Sequence, residues 1–194
     1  MTPIIVVLET ELGFVEINIF SERAPISSAA FLSYIDGGYF KKKGGFYRVV
    51  NNRNDYRLPP IEIIGGGIVN YSDVKPMLPV SHESTKMTGL FHKNGSVSLG
   101  REALGTANGG DFFICIGDQP ALDYGGMRNP DGQGFAVFGQ VIKGMDLVHN
   151  IKNMTSDAPV QSPYDKYFLG QVLDHPIRII QAYRKSIDIA MGPN

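Results

Sequence analysis

Arg48 stands alone in an otherwise apolar run, Gly45-Phe46-Tyr47-Arg48-Val49-Val50. A guanidinium is always charged and presents a rigid fork of donors, so its place inside a strand invites either a chemical role or a plain surface one. Two further stretches set polar residues among apolar ones. Gly95-Ser96-Val97-Ser98-Leu99-Gly100-Arg101 precedes Gly109-Gly110-Asp111-Phe112-Phe113-Ile114-Cys115, with Leu122-Asp123 and then Phe135-Ala136-Val137-Phe138-Gly139 behind. Alternation along Asp111 to Ile116 does not decide which face is inward, so Phe113 is either core or pocket on the residues alone.

Other patterns fall short of the chemistry they suggest. Gly65-Gly66-Gly67 follows a strand, as a phosphate-cradling loop would, yet no helix pattern or Gly-Lys-Ser/Thr follows and Pro76 interrupts the region. A glycine bend at a barrel corner is the better reading. Asn129-Pro130-Asp131-Gly132-Gln133-Gly134 lacks the alternating acidic ligands and terminal glutamate of a calcium loop, and reads as a turn. His82, His92, His149 and His175 show no close ligand spacing, so no metal is expected. Ser96-Val97-Ser98-Leu99-Gly100 misses the Gly-x-Ser-x-Gly nucleophile pattern and sits in a strand context. Asn94-Gly95-Ser96 and Asn153-Met154-Thr155 match glycosylation acceptors, a pattern common by chance. Cys115 lies in Phe112-Phe113-Ile114-Cys115-Ile116 and reads as a buried, inert thiol.

The composition sets the limits. With 194 residues, 43% hydrophobic and 19% charged, the chain can fill one sizeable core, and a single domain over 1–194 is expected. Eighteen basic against 19 acidic side chains give a net charge of −1, which exerts no general pull on nucleic acid or an anionic membrane. One cysteine rules out an internal disulfide framework. No apolar run approaches the ~20 residues of a membrane span, and Met1 to Leu8 lack the features of a signal peptide. A cytoplasmic protein is expected.

The elements that must position these residues are mostly short strands. Ile4–Thr10 and Phe14–Phe20 form a hairpin about Glu11-Leu12-Gly13, with Phe14, Val15, Ile17 and Ile19 set against Glu16 and Asn18. Ser21 is placed to cap a helix that starts near Pro25 and stops at Gly37-Gly38. Strands follow at Gly45–Val50, Ile61–Ile64, Gly95–Leu99, Asp111–Ile116 and Ala136–Val141, a second helix at Met145–Ile151, and a last strand at Ile177–Tyr183. Thr155 to Asp174 has no periodicity and reads as an ordered surface loop. Many short strands with two isolated helices argue an antiparallel barrel.

Taken in order and at these separations, the segments around Arg48, Gly95–Arg101, Gly109–Cys115, Leu122 and Phe135–Gly139 resemble the cyclophilin family of peptidyl-prolyl cis-trans isomerases. The likeness extends to Phe14–Phe20 with Ala24-Pro25, and to Gly139-Gln140-Val141 with Gly144-Met145. Glu83-x-Thr85, Thr88-Gly89-Leu90 and His92 are similar to divergent bacterial members. It spans roughly residues 4 to 151 and resumes at the last strand. It implies a mainly β fold, a closed eight-stranded antiparallel barrel capped by two α-helices.

The activity that the resemblance implies has a physical basis. Conjugation opposes rotation about an amide bond by ~18–20 kcal/mol, and exchange at X-Pro bonds takes tens of seconds or more unaided. Twisting returns the lone pair to the prolyl nitrogen, so a fixed cationic donor beside it favours the twisted state over either planar one. Arg48 is the implied catalytic residue, with no cofactor and no metal. Phe113 and Leu122 are implied to line the proline slot, with Ile63 where the family usually has methionine. Phe135, Gly65, Gly100, Arg101 and Asp111 complete the implied substrate-binding set.

Several of these positions depart from the family pattern. Gly65 falls where a substrate-binding glutamine is usual, Phe135 where a histidine is common, Ala121 where many members carry tryptophan, and Asp111 where a neighbouring glutamine is found. Gly100-Arg101-Glu102 replaces an Ala-Asn-Ala run, and Glu62 or Ile61 a pocket phenylalanine. The implied partners are proline-containing peptides or unfolded protein clients, with poor binding of cyclosporin-type macrocycles. A second reading, a proline-peptide binding module with weak or no catalysis, follows from the lost glutamine donor.

Overall fold

β-Branched and apolar residues at alternate positions give each strand one face for an interior. The computed structural model describes residues 3–69, 76–160 and 165–186. Its strands are β1 (Ile4–Thr10), β2 (Gly13–Ile19), β3 (Gly44–Val50), β4 (Ile63–Ile68), β5 (Ser96–Leu99), β6 (Asp111–Cys115), β7 (Ala136–Lys143) and β8 (Val172–Arg184). They close into an antiparallel barrel in the order β1-β2-β7-β5-β6-β4-β3-β8, the architecture that the resemblance implied. Two longer helices, α1 (Pro25–Asp36) and α4 (Met145–Lys152), bury Phe31, Tyr34, Val148 and Ile151 into the same interior. Three short helices were not anticipated: α2 (Tyr39–Lys43), α3 (Thr85–Thr88) and α5 (Asp165–Phe168).

An aromatic group fills the core. Phe112 stands nearly perpendicular to Phe31, Phe40 and Phe46 at centroid distances of 5.4, 5.8 and 5.9 Å. These contacts explain the glycines of β4, which lie within the strand and not at a barrel corner. A Cβ at Gly66 would come within 2.8 Å of the Phe46 ring and 3.0 Å of the Phe112 ring. Gly66 makes room for the core.

Three further expectations are corrected. Phe14 shares strand parity with Glu16 and is 50% exposed, whereas Glu16 is buried beneath the ammonium groups of Lys143 and Lys185. The last strand begins at Val172 and not at Ile177. Polar Asp174-His175-Pro176 hides this start, because the register against β3 jumps from Arg48–Val172 to Phe46–Ile177 and leaves the proline outside the ladder. Ser21 does not cap α1.

The cap comes from a distant segment. Glu83 accepts the N–H groups of Ile26 and Ser27 at 3.1 and 2.7 Å, so a carboxylate meets the positive end of the helix dipole. Glu83→Ala is expected to cost about 1–2 kcal/mol, read as a lower urea midpoint with an unchanged slope. An unchanged midpoint would remove the cap from the account.

Candidate active site

Residues paired across neighbouring strands share a face, and one such row runs over four strands of the barrel. Arg48 on β3 pairs with Gly65 on β4, Gly65 with Phe113 on β6, and Phe113 with Ser98 on β5. Phe112 and Ile114 point into the core, so Phe113 points outward. There it joins Val50, Ile61, Ile63, Cys115 and Leu122 in a second apolar cluster, flanked by Ala121 and Phe135. Phe135 meets Phe113 edge to face at 5.2 Å. The His92 ring stacks on Phe113 at 5.9 Å with the planes 12° apart.

His92 belongs to a buried relay. Its Nδ1 lies 2.7 Å from Asp123 Oδ1 and its Nε2 3.1 Å from Ser98 Oγ. Burial lowers the imidazole pKa below its ordinary value against the opposing pull of Asp123, so the ring is neutral at pH 7. Nδ1–H then donates to the carboxylate, and Nε2 accepts from the serine hydroxyl. The arrangement has the order of a nucleophile triad, but Ser98 is 0% exposed. Its evident work is to hold the Phe113 ring from beneath.

Arg48 is held at its outer end. Its Nε and Nη2 donate to Gln171 Oε1 at 3.1 and 2.6 Å, and the guanidinium carbon lies 4.3 Å from the centre of the Phe168 ring. Burial pulls its pKa down to about 10, which leaves it cationic at neutral pH. A Cβ on Gly65 would lie 3.2 Å from Arg48 Cβ, so the bare glycine backs directly onto the arginine stem. Tyr47 is skipped in both register ladders and donates its hydroxyl to Asp111 Oδ1 at 3.0 Å. At the far edge, Gly100 N–H donates to the Asp111 carbonyl at 2.8 Å. Arg101 lies over the Phe135 ring at 5.3 Å, with its fork on Asp131 and on the Gly134 carbonyl.

A family model described as "Cyclophilin type peptidyl-prolyl cis-trans isomerase/CLD" matches residues 5–172. The chain belongs to the cyclophilin-type isomerases. This cyclophilin is 31% identical over 185 residues to a peptidyl-prolyl cis-trans isomerase of Acinetobacter baylyi, covering 94% of this chain and 86% of that one. Peptidyl-prolyl cis-trans isomerase A of Dickeya dadantii is 30% identical, with 78% and 73% covered. A crystal structure of a cyclophilin-type isomerase from Cryptosporidium parvum superposes with a TM-score of 0.70 over 96% of this chain and 99% of that one. At 19% identity that match concerns the fold alone. Peptidyl-prolyl cis-trans isomerase activity goes with family membership.

In this cyclophilin Ile63, Phe113, Leu122 and Phe135 meet in one outer cluster, and Arg48 and Gly65 share the row that reaches it. Asp111 faces Tyr47, and Arg101 reaches the cluster through Phe135. Sequence reasoning missed the residues that brace these groups. Asp55 and Arg128 form a buried pair at 2.8 Å that ties the loop after β3 to the turn before Phe135. Arg57 Nη2 adds a bond to the Arg128 carbonyl at 3.0 Å. Gln171 and Phe168 lie in the stretch read only as a loop, and their pairing with Arg48 has no local sequence signal. His92 belongs to the family likeness in sequence, but its links to Asp123, Ser98 and Phe113 emerge only from the fold. Among the described residues no group of three or more His, Cys, Asp or Glu could hold a metal ion, and no helix is long and apolar enough to cross a membrane.

The neutral ring of His92 makes the outer cluster sensitive to acid. Unfolding releases it to its ordinary pKa of 6.5, so the unfolded chain binds a proton that the folded chain refuses. Stability from this site is full above that pH and is lost as pH falls below it. Urea midpoints are expected to hold above pH 6.5 and to drop as the pH falls below it. The His92 ring should titrate by NMR with a midpoint below 6.5, and a midpoint above it would overturn this account.

Proposed function

We propose that this cyclophilin accelerates rotation about X-Pro bonds in proteins and peptides, with Arg48 stabilising the twisted prolyl amide. The observation that carries the reading is the row Arg48–Gly65–Phe113, in which a cation and an aromatic wall flank a residue with no side chain. A proline ring resting against Phe113, Ile63, Leu122 and Phe135 would bring its nitrogen toward the guanidinium. One charge-assisted hydrogen bond made only in the twisted state is worth ~1.5–3 kcal/mol, or about one to two decades of rate. The charge needs no proton transfer to act, so activity should be flat across the neutral range. A crystal structure of the Cryptosporidium relative was obtained in the presence of the dipeptide Ala-Pro, which is consistent with proline-containing ligands here. Gly100, Arg101 and Asp111 would border the path of the peptide away from proline.

A second reading has its own observation. Gly65 offers no side-chain donor to a substrate backbone, and Phe135 adds an apolar ring and no polar group, which suits a module that binds proline segments with little turnover. With Ala121 in place of tryptophan, cyclosporin-type macrocycles should bind poorly under either reading.

Cis/trans exchange in a short Ala-Pro peptide, followed by NMR with wild type and Arg48→Ala, separates the two. The expected result is acceleration by wild type and a loss of about 10- to 100-fold in a folded Arg48→Ala variant. Full activity in that variant would sink the mechanism. Shifted peptide resonances without faster exchange would transfer the case to the binding module.

A further inference from the structure

Arg48 carries a long, rotatable stem, and left unsupported its fork would sample many positions at an entropic cost to any bond it makes. Gly65, directly opposite, has no side chain to restrain it. We infer that Gln171 is the positioning residue for Arg48, an inference that rests on the catalytic role proposed above. Its Oε1 receives both Nε–H and one Nη2–H, and this leaves the Nη1 side of the fork for a prolyl nitrogen.

Gln171 is itself fixed on every polar group. It is 3% exposed, and its Nε2 donates to the Asn54 carbonyl at 2.8 Å. Its carbonyl accepts Val49 N–H at 2.8 Å, and its N–H donates to Phe168 at 2.9 Å. Asn54 in turn holds the Val49 and Gly170 carbonyls at 3.0 and 2.8 Å and accepts Asn51 N–H at 2.8 Å. The Phe168 ring covers one face of the guanidinium, so both its plane and its edge are set. A carboxamide suits the task, since a neutral acceptor orients the cation without cancelling the charge that acts on the substrate. A carboxylate at this place would hold the fork and quench it.

The test uses Gln171→Met, which keeps the length of the side chain and removes both hydrogen-bonding groups. A purely structural role would lower stability or peptide affinity. A positioning role lowers turnover at constant affinity, and about a ten-fold fall in catalysed exchange is expected with unchanged peptide-induced shifts. In nitrogen-15 labelled wild type the Arg48 Nε–H should exchange with solvent more slowly than that of exposed Arg53, and the protection should vanish in the variant. Wild-type turnover in a folded Gln171→Met protein would overturn the inference. So would an unprotected Arg48 Nε–H in wild type, a measurement that stands even where the variant does not fold. Arg48→Ala measured alongside keeps the two claims apart. Loss there with none in Gln171→Met removes the inference alone, whereas full activity there removes the catalytic reading beneath it.

Discussion

Neighbouring residues of a strand cannot share a face, and β6 places phenylalanine on both. Phe112 is the piece around which Phe31, Phe40 and Phe46 pack, and it requires Gly66 of β4 beside it. Phe113 is thereby committed to the outside, where its ring would be an exposed apolar patch without Ile63, Leu122 and Phe135 around it. Core and outer cluster are two sides of one strand. A shift of register by a single residue would exchange the rings and abolish both.

The same economy governs β4. Gly66 makes room for the core rings and Gly65 for the arginine stem, one glycine serving each face. Electrostatics then divides the site into a charged margin and a neutral floor. The guanidinium of Arg48 stays cationic despite its burial, and the imidazole of His92 is kept neutral by its own. In the proposed function this neutrality matters, because an apolar ring laid on the floor would meet no competing charge.

Much of this was legible in the sequence because it rests on local rules. The β-branched run of β1, the apolar run of β7, the glycines after α1, and Arg48 in its apolar strand point to strands, helix and candidate cation without any knowledge of distant contacts. The glycines of β4 give no local hint of their reason, because Gly65 answers to the Arg48 stem and Gly66 to the rings of Phe46 and Phe112 on other strands. Phe14 was misassigned because Glu16, which shares its side of the strand, is buried by lysines from β7 and the end of the chain. The cap on α1, the Asp55–Arg128 pair and the Gln171–Arg48 contact join residues 56, 73 and 123 positions apart, and no periodicity encodes such pairings. Which face Phe113 takes was open until the ladder was closed.

Cys115 lies in the outer cluster, opposite Ile63, fully enclosed. Burial drives its thiol pKa upward, so the reactive thiolate is absent at any ordinary pH while the cluster stays packed. This gives the protein a built-in chemical clock. An alkylating reagent can reach the sulfur only when the wall beside Phe113 comes apart, so its rate of modification would count those openings in unlabelled, unmodified protein.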